Sequence, residues 1–141
     1  LDASCMSRLL AAEARGRIER GFRRVFDIAD DAVESFIVDP QGMPLRVGMS
    51  LLDYLLAKGE GREAYFAAAR ATVERPFETW LVLLRQADGS VVVRKRYIGL
   101  FEERALLVVA ERSRDGWLIF NAHPRKTIDS QRVGHLVRGF K

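Results

Sequence analysis

The chain has 141 residues, 48% of them apolar, with a net charge of +4 and a pI near 9.6. That describes one ordinary domain with a core to bury, not a disordered chain. A single cysteine, Cys5, excludes an internal disulfide or a Cys-based metal cluster, and His123 and His135 alone cannot close a structural zinc site. No apolar run is long enough for a membrane-spanning helix and no signal peptide is visible. The chain begins Leu-Asp-Ala rather than with Met, as expected of an excised domain or processed fragment.

Residues 2 to 26 predict an amphipathic helix. Leu9, Leu10, Ala14, Ile18, Phe22 and Val25 recur at helical spacing, with arginines over the rest. The stripe is expected to pack on a sheet while the arginines stay solvated. Asp27, Asp30, Asp31 and Glu34 then form an acidic patch whose spacing matches no calcium loop. A short helix or turn is expected here. One short strand should follow at Ser35–Val38, ended by the Asp39-Pro-Gln-Gly-Met-Pro44 breaker. Ser50, with Asp53 three positions on, marks a helix start. That helix carries Leu51, Leu52, Leu55 and Leu56, and a second one is expected over residues 62 to 73, stopped by Pro76.

From Thr79 the pattern turns to strands: 79 to 84, 91 to 98, 105 to 111 and 116 to 121, the first two joined by the hairpin signal Ala87-Asp-Gly-Ser90. The tail from Asp129 predicts a short final helix or strand. Helices followed by consecutive antiparallel strands give an α+β fold.

The chemistry collects on the strands. The positive excess is mostly arginine, which forks onto phosphate oxygens through paired hydrogen bonds. Alternation separates Val91, Val93, Lys95 and Tyr97 from Val92, Arg94, Arg96 and Ile98. Arg94 and Arg96 are therefore expected on the face away from the helices, since an unpaired buried arginine is costly. The competing reading is a solvated cationic face paired with Glu102, Glu103 or Glu111. After the fourth strand, His123-Pro-Arg-Lys-Thr127 offers a proton-transfer group, two cations in Arg125 and Lys126, and the hydroxyl of Thr127. A histidine that merely closes the strand is the alternative. Glu78 can serve as base partner or arginine partner, and Trp80 and Tyr97 can stack a base or simply pack. Gly-x-Gly-x-x-Gly, Walker, Gly-x-Ser-x-Gly and His-Glu-x-x-His motifs are absent, which argues against nucleotide-dependent dehydrogenases, ATPases, serine hydrolases and zinc proteases.

Several blocks carry a resemblance. They are Gly61-Arg-Glu-Ala-Tyr65, Ala71-Thr-Val-Glu-Arg-Pro-Phe-Glu-Thr-Trp80, Arg94-Lys-Arg-Tyr-Ile98, Leu106 to Ala110, Trp117-Leu-Ile-Phe120 and Arg132-Val-Gly134. Over about Gly48 to Gly139 the chain resembles phage-borne nuclease-like domains grouped with barnase, EndoU, colicin and RelE-type toxins. The resemblance implies helices packed on a curved four-stranded antiparallel sheet, with residues 1–47 as a helical connecting region and 48–141 as the nuclease-like part of one compact domain. It also implies a metal-independent endoribonuclease without cofactor, with Glu78, Arg96, Thr127 and Arg132 in matching blocks. RNA would be its partner, together with a cognate immunity or antitoxin protein. It would act in the bacterial cytoplasm after delivery by a phage particle or secreted toxin. Relatives place a histidine in the first helix after the capping turn; here that stretch is Leu52-Asp-Tyr-Leu55, a departure. The rivals are a non-catalytic phage accessory domain that binds nucleic acid or protein, and an effector that transfers a nucleotide-derived group.

Overall fold

A computed structural model of the chain describes residues 2–58, 65–101, 104–125 and 131–138. Helix α1 (Ala3–Phe26) starts where the Asp2 side chain accepts the Cys5 amide at 2.7 Å, and it ends at Asp27 in the left-handed region. Only its second half packs. Phe22 and Phe26 are buried, and Phe22 meets Phe66 edge-on at 5.1 Å, whereas Met6, Leu9 and Leu10 are exposed. The expected stripe therefore fails at its start, in the first half of a helix of 24 residues, about 36 Å long. Arg23 is not simply solvated either: its guanidinium donates to the Ala29 and Ala32 carbonyls and shapes the following loop. Arg70 does the same from the other side, donating to the Val25 carbonyl and to Asp27.

In place of one short strand the structure has a hairpin, β1 (Glu34–Val38) and β2 (Pro44–Gly48), closed by the Asp39 turn. Helices α2 (Met49–Lys58) and α3 (Phe66–Glu74) follow. The remaining strands are β3 (Glu78–Arg85), β4 (Val91–Leu100), β5 (Ala105–Ser113), β6 (Gly116–Arg125) and β7 (His135–Arg138). Asp88 and Gly89 close β3 onto β4 as the sequence predicts; the Asp88 carboxylate accepts from Ser90, and Gly89 takes a positive φ of 88°.

The strand order is β1-β2-β6-β5-β4-β3-β7. The four expected antiparallel strands form its centre, but the sheet has seven strands and is mixed, because β2 runs parallel to β6. Gly134 explains how β7 reaches the β3 edge. It has a positive φ of 94°, and a Cβ there would collide with the Leu81 carbonyl.

The helices cover one face of the sheet. Phe22, Phe26, Leu45, Val47, Leu51, Leu52, Val73, Tyr97, Val108, Ala110 and Ile119 form the core there. Within it lies a polar knot: Asp39 accepts from Lys95 Nζ at 3.1 Å and from the Tyr97 hydroxyl at 2.6 Å, all three residues being buried. Burial raises the Asp39 carboxyl, but the Tyr97 hydroxyl, the Met43 amide and the Lys95 ammonium outweigh it and hold the group below its ordinary range.

Candidate functional site

The opposite face carries the candidate residues, and the strand register shows how they are assembled. Successive partners give one row Glu78–Ile98–Leu107–His123 and a neighbouring row Trp80–Arg96–Val109–Asn121. A third, Val82–Arg94–Glu111–Leu118, lies beside it. Residues that pair directly share a face. Arg94, Arg96, Trp80, Glu78, His123 and Arg125 therefore lie on one side of the sheet, as alternation predicts for the two strand arginines. Arg96 and His123 are two strands apart, about 10 Å across the sheet.

The floor is a small apolar cluster of Ile98, Leu107 and Val109 packed with Trp80 and Phe120. A bulge between Val109 and Ala110 moves the β6 partner from Asn121 to Ile119 and leaves Phe120 as the extra residue. Bulges of this kind re-aim side chains near functional sites. Here Phe120 takes the Arg94 guanidinium over its ring at 4.9 Å.

The electrostatics single out Arg96. Arg94 has Glu111 at 3.7 Å, but among the described residues Arg96 has neither an ion pair nor a hydrogen bond. Burial disfavours its charge, the neighbouring Arg94 and Arg125 repel it, and the guanidinium lies below its ordinary pKa. Arg125 Nη2 stands 3.4 Å from His123 Nε2. A guanidinium can only donate, so in this contact the imidazole nitrogen is the acceptor. Asn121, which sequence reasoning missed, ends the Arg96 row with a buried side-chain oxygen that has no hydrogen-bond partner among the described residues. Only the pairing register reveals it.

Other assignments change. Tyr97 is fully buried on the helix side, with its hydroxyl on Asp39, so it cannot stack a base. Alternation with Arg96 already implied as much. Burial and the adjacent carboxylate raise that hydroxyl's pKa far above the ordinary tyrosine value. Glu78 does not pair with His123. It stands at the far end of their row, and its buried carboxylate accepts from Arg132 Nε at 2.7 Å, Arg132 Nη2 at 2.9 Å and Trp80 Nε1 at 3.1 Å. Arg132 is thereby a clamp on Glu78, and Glu78 fixes the Trp80 ring edge. Lys126, Thr127, Glu102 and Glu103 lie outside the described residues. His135 pairs with Leu81 at the β7 edge, two strands beyond β4 and away from His123. Asp27 is bound by Arg70, and among the described residues no group of three or more His, Cys, Asp or Glu side chains could hold a metal ion.

The clamp makes a prediction. Arg132→Ala strips two charged donors from a buried carboxylate and is expected to cost about 2 kcal/mol in urea unfolding. Glu78→Gln should cost less, since the amide oxygen still accepts. A loss from Arg132→Ala within measurement error would mean that the pair is solvated and fixes nothing.

No curated protein and no solved structure matches the chain. The sequence model of one family does, over residues 21–137, which takes in the β1–β2 hairpin, every central strand and most of β7. With that match over most of its length, the chain belongs to the phage-Barnase-EndoU-ColicinE5/D-RelE like nuclease2 family, a nuclease-like group.

Proposed function

We propose that the chain is an endoribonuclease that needs no metal and cleaves RNA on the face opposite the helices. His123 removes the proton of a ribose 2′-hydroxyl, whose oxygen then attacks the adjacent phosphorus. Arg96 and Arg125 stabilise the charge that builds on the phosphorane oxygens, with Arg94 behind them. The bond to the 5′-oxygen breaks, and the proton returns through water to that leaving group. The products are a 2′,3′-cyclic phosphate and a 5′-hydroxyl. Trp80, its edge held by Glu78 and Arg132, offers a ring for base stacking. Lys126 and Thr127 have the roles their place after Arg125 gives them, a further phosphate cation and a hydroxyl donor.

One observation carries this reading: Arg96 is a half-buried cation without a counter-ion among the described residues, flanked by two further guanidiniums on the histidine's face. Charges of one sign gathered this way mark a site for the opposite charge. The test is incubation of purified protein with RNA in EDTA. Wild type should yield cyclic-phosphate ends and leave DNA and 2′-O-methyl RNA intact. His123→Ala should slow cleavage at least a hundredfold, and undiminished cleavage by that variant would remove the assignment. A second reading, binding without turnover, is favoured by the engagement of Glu78 with Arg132, which takes it away from His123. Intact RNA with steeply salt-dependent association would support that reading instead.

A further inference from the structure

The row that contains Arg94 does not stop at β6. Leu118 pairs with Arg46 on β2, and Arg46 pairs with Phe36 on the edge strand β1. The face continues from Arg94 across Glu111 and Leu118 to a guanidinium and then to an aromatic ring. Phe36 is 58% exposed and Val38, two residues on, is 52% exposed, while Ile37 between them is buried under the helices. Ile37 and its neighbours account for the hairpin's packing. They do not account for a solvent-facing ring beside an arginine.

We infer that Phe36 and Arg46 form a remote subsite for single-stranded RNA, engaging the strand a few nucleotides from the phosphate held at Arg96. The inference rests on the ribonuclease reading above and extends it along the same face. Four inter-strand spacings separate β4 from β1, about 19 Å, which a dinucleotide cannot bridge and an extended oligonucleotide can. The chemistry is that of single-strand binding, with rings that stack on any base and guanidiniums that follow the backbone. Charge complementarity favours RNA over an apolar partner: Arg46, Arg94, Arg96 and Arg125 all lie on this face. Three carboxylates among the described residues share it: Glu34 at 3.6 Å from Arg46, Glu111 at 3.7 Å from Arg94, and Glu78, which Arg132 holds at 2.7 Å. The Glu34 and Glu111 pairings are long, Arg46 Nε has no hydrogen-bond partner among the described residues, and a phosphate can displace either of these two acids.

The experiment compares cleavage of a dinucleotide and of a mixed-sequence dodecamer by wild type, Phe36→Ala and Phe36→Trp. Phe36→Ala should lower kcat/KM on the dodecamer about tenfold through KM, the effect of losing one stacked base. It should leave dinucleotide cleavage unchanged, and Phe36→Trp should restore the dodecamer rate. Equal losses on both substrates, or no loss on either, would overturn the subsite while leaving the nuclease standing. If wild type cuts nothing, the same pair is read by fluorescence anisotropy. A length-dependent loss of affinity in Phe36→Ala then supports the subsite although catalysis has failed, and no binding at either length overturns both. Concentration-dependent self-association that Phe36→Ala abolishes, with RNA affinity unchanged, would assign the ring to a protein contact and overturn the inference.

Discussion

Replacing Arg96 by methionine is expected to reduce RNA cleavage by two orders of magnitude or more while leaving the folded protein as stable as wild type or more stable. The two halves come from one cause. The guanidinium makes no hydrogen bond or ion pair among the described residues, burial disfavours its charge, and Arg94 and Arg125 push against it. Folding therefore gains little from this cation. A methionine of similar length keeps the packing over the β3–β5 strands and removes the repulsion. On the proposed mechanism activity has the opposite sensitivity, because a charge that no described residue satisfies is satisfied when a phosphorane forms beside it. Cleavage rates in EDTA and thermal unfolding at low and high salt give the two readouts. Any gain in Tm should shrink as salt rises, since the repulsion it relieves is screened. A variant that unfolds would make Arg96 a structural residue, and one that cleaves normally would remove it from the site.

The nearest control is its neighbour. Arg94 has the Phe120 ring and Glu111 to hold it, so its loss removes native contacts together with charge. Arg94→Met should therefore cost stability where Arg96→Met does not. This division of labour between two arginines on one strand could not be read from the sequence, in which they look alike.

What was legible follows from local rules. A period of two placed Arg94 and Arg96 on one face and Lys95 and Tyr97 on the other, and that is where they lie. Asp88-Gly89 announced its hairpin, and the four central strands stand where their apolar runs put them. The misses all involve distance along the chain. The parallel pairing of β2 with β6 brings together residues more than seventy positions apart and has no local signal. Asp39 looked like a turn former before proline, which it is, since its other carboxylate oxygen accepts the Gln41 and Met43 amides. Nothing near it in sequence says that it also reaches Lys95, 56 residues on. Chemical plausibility offers Glu78 either to His123 or to an arginine, and does not say which. Arg132, 54 residues away, holds it, because a buried carboxylate takes the donor that can approach in pairs.

The second large effect is expected at Asp39, remote from the chemistry. Asp39→Ala should destabilise the fold by about 3–5 kcal/mol, because it strands the Lys95 ammonium and the Tyr97 hydroxyl in the core and frees the β1–β2 turn. A double-mutant cycle separates the causes. Adding Lys95→Met to Asp39→Asn should recover much of the loss, since no ammonium is then left unpaired. The pH dependence has a definite sign on each side. The Asp39 carboxyl is depressed in the folded state, so its contribution is present above the ordinary aspartate value near 4 and is lost as pH falls through the folded value. The Tyr97 hydroxyl is raised, so its contribution is intact below about 10 and declines as pH climbs beyond that. Asp39→Asn should accordingly flatten the acid limb of the stability profile, and Tyr97→Phe the alkaline limb. Activity should follow, because Lys95 and Tyr97 alternate with Arg94 and Arg96. Whatever fixes the buried side of β4 also fixes the path of the strand that carries the proposed RNA-binding arginines. An Asp39→Asn variant with wild-type stability at pH 7 would show that the hairpin is held by its apolar contacts alone, and the link from this turn to the arginine face would be gone.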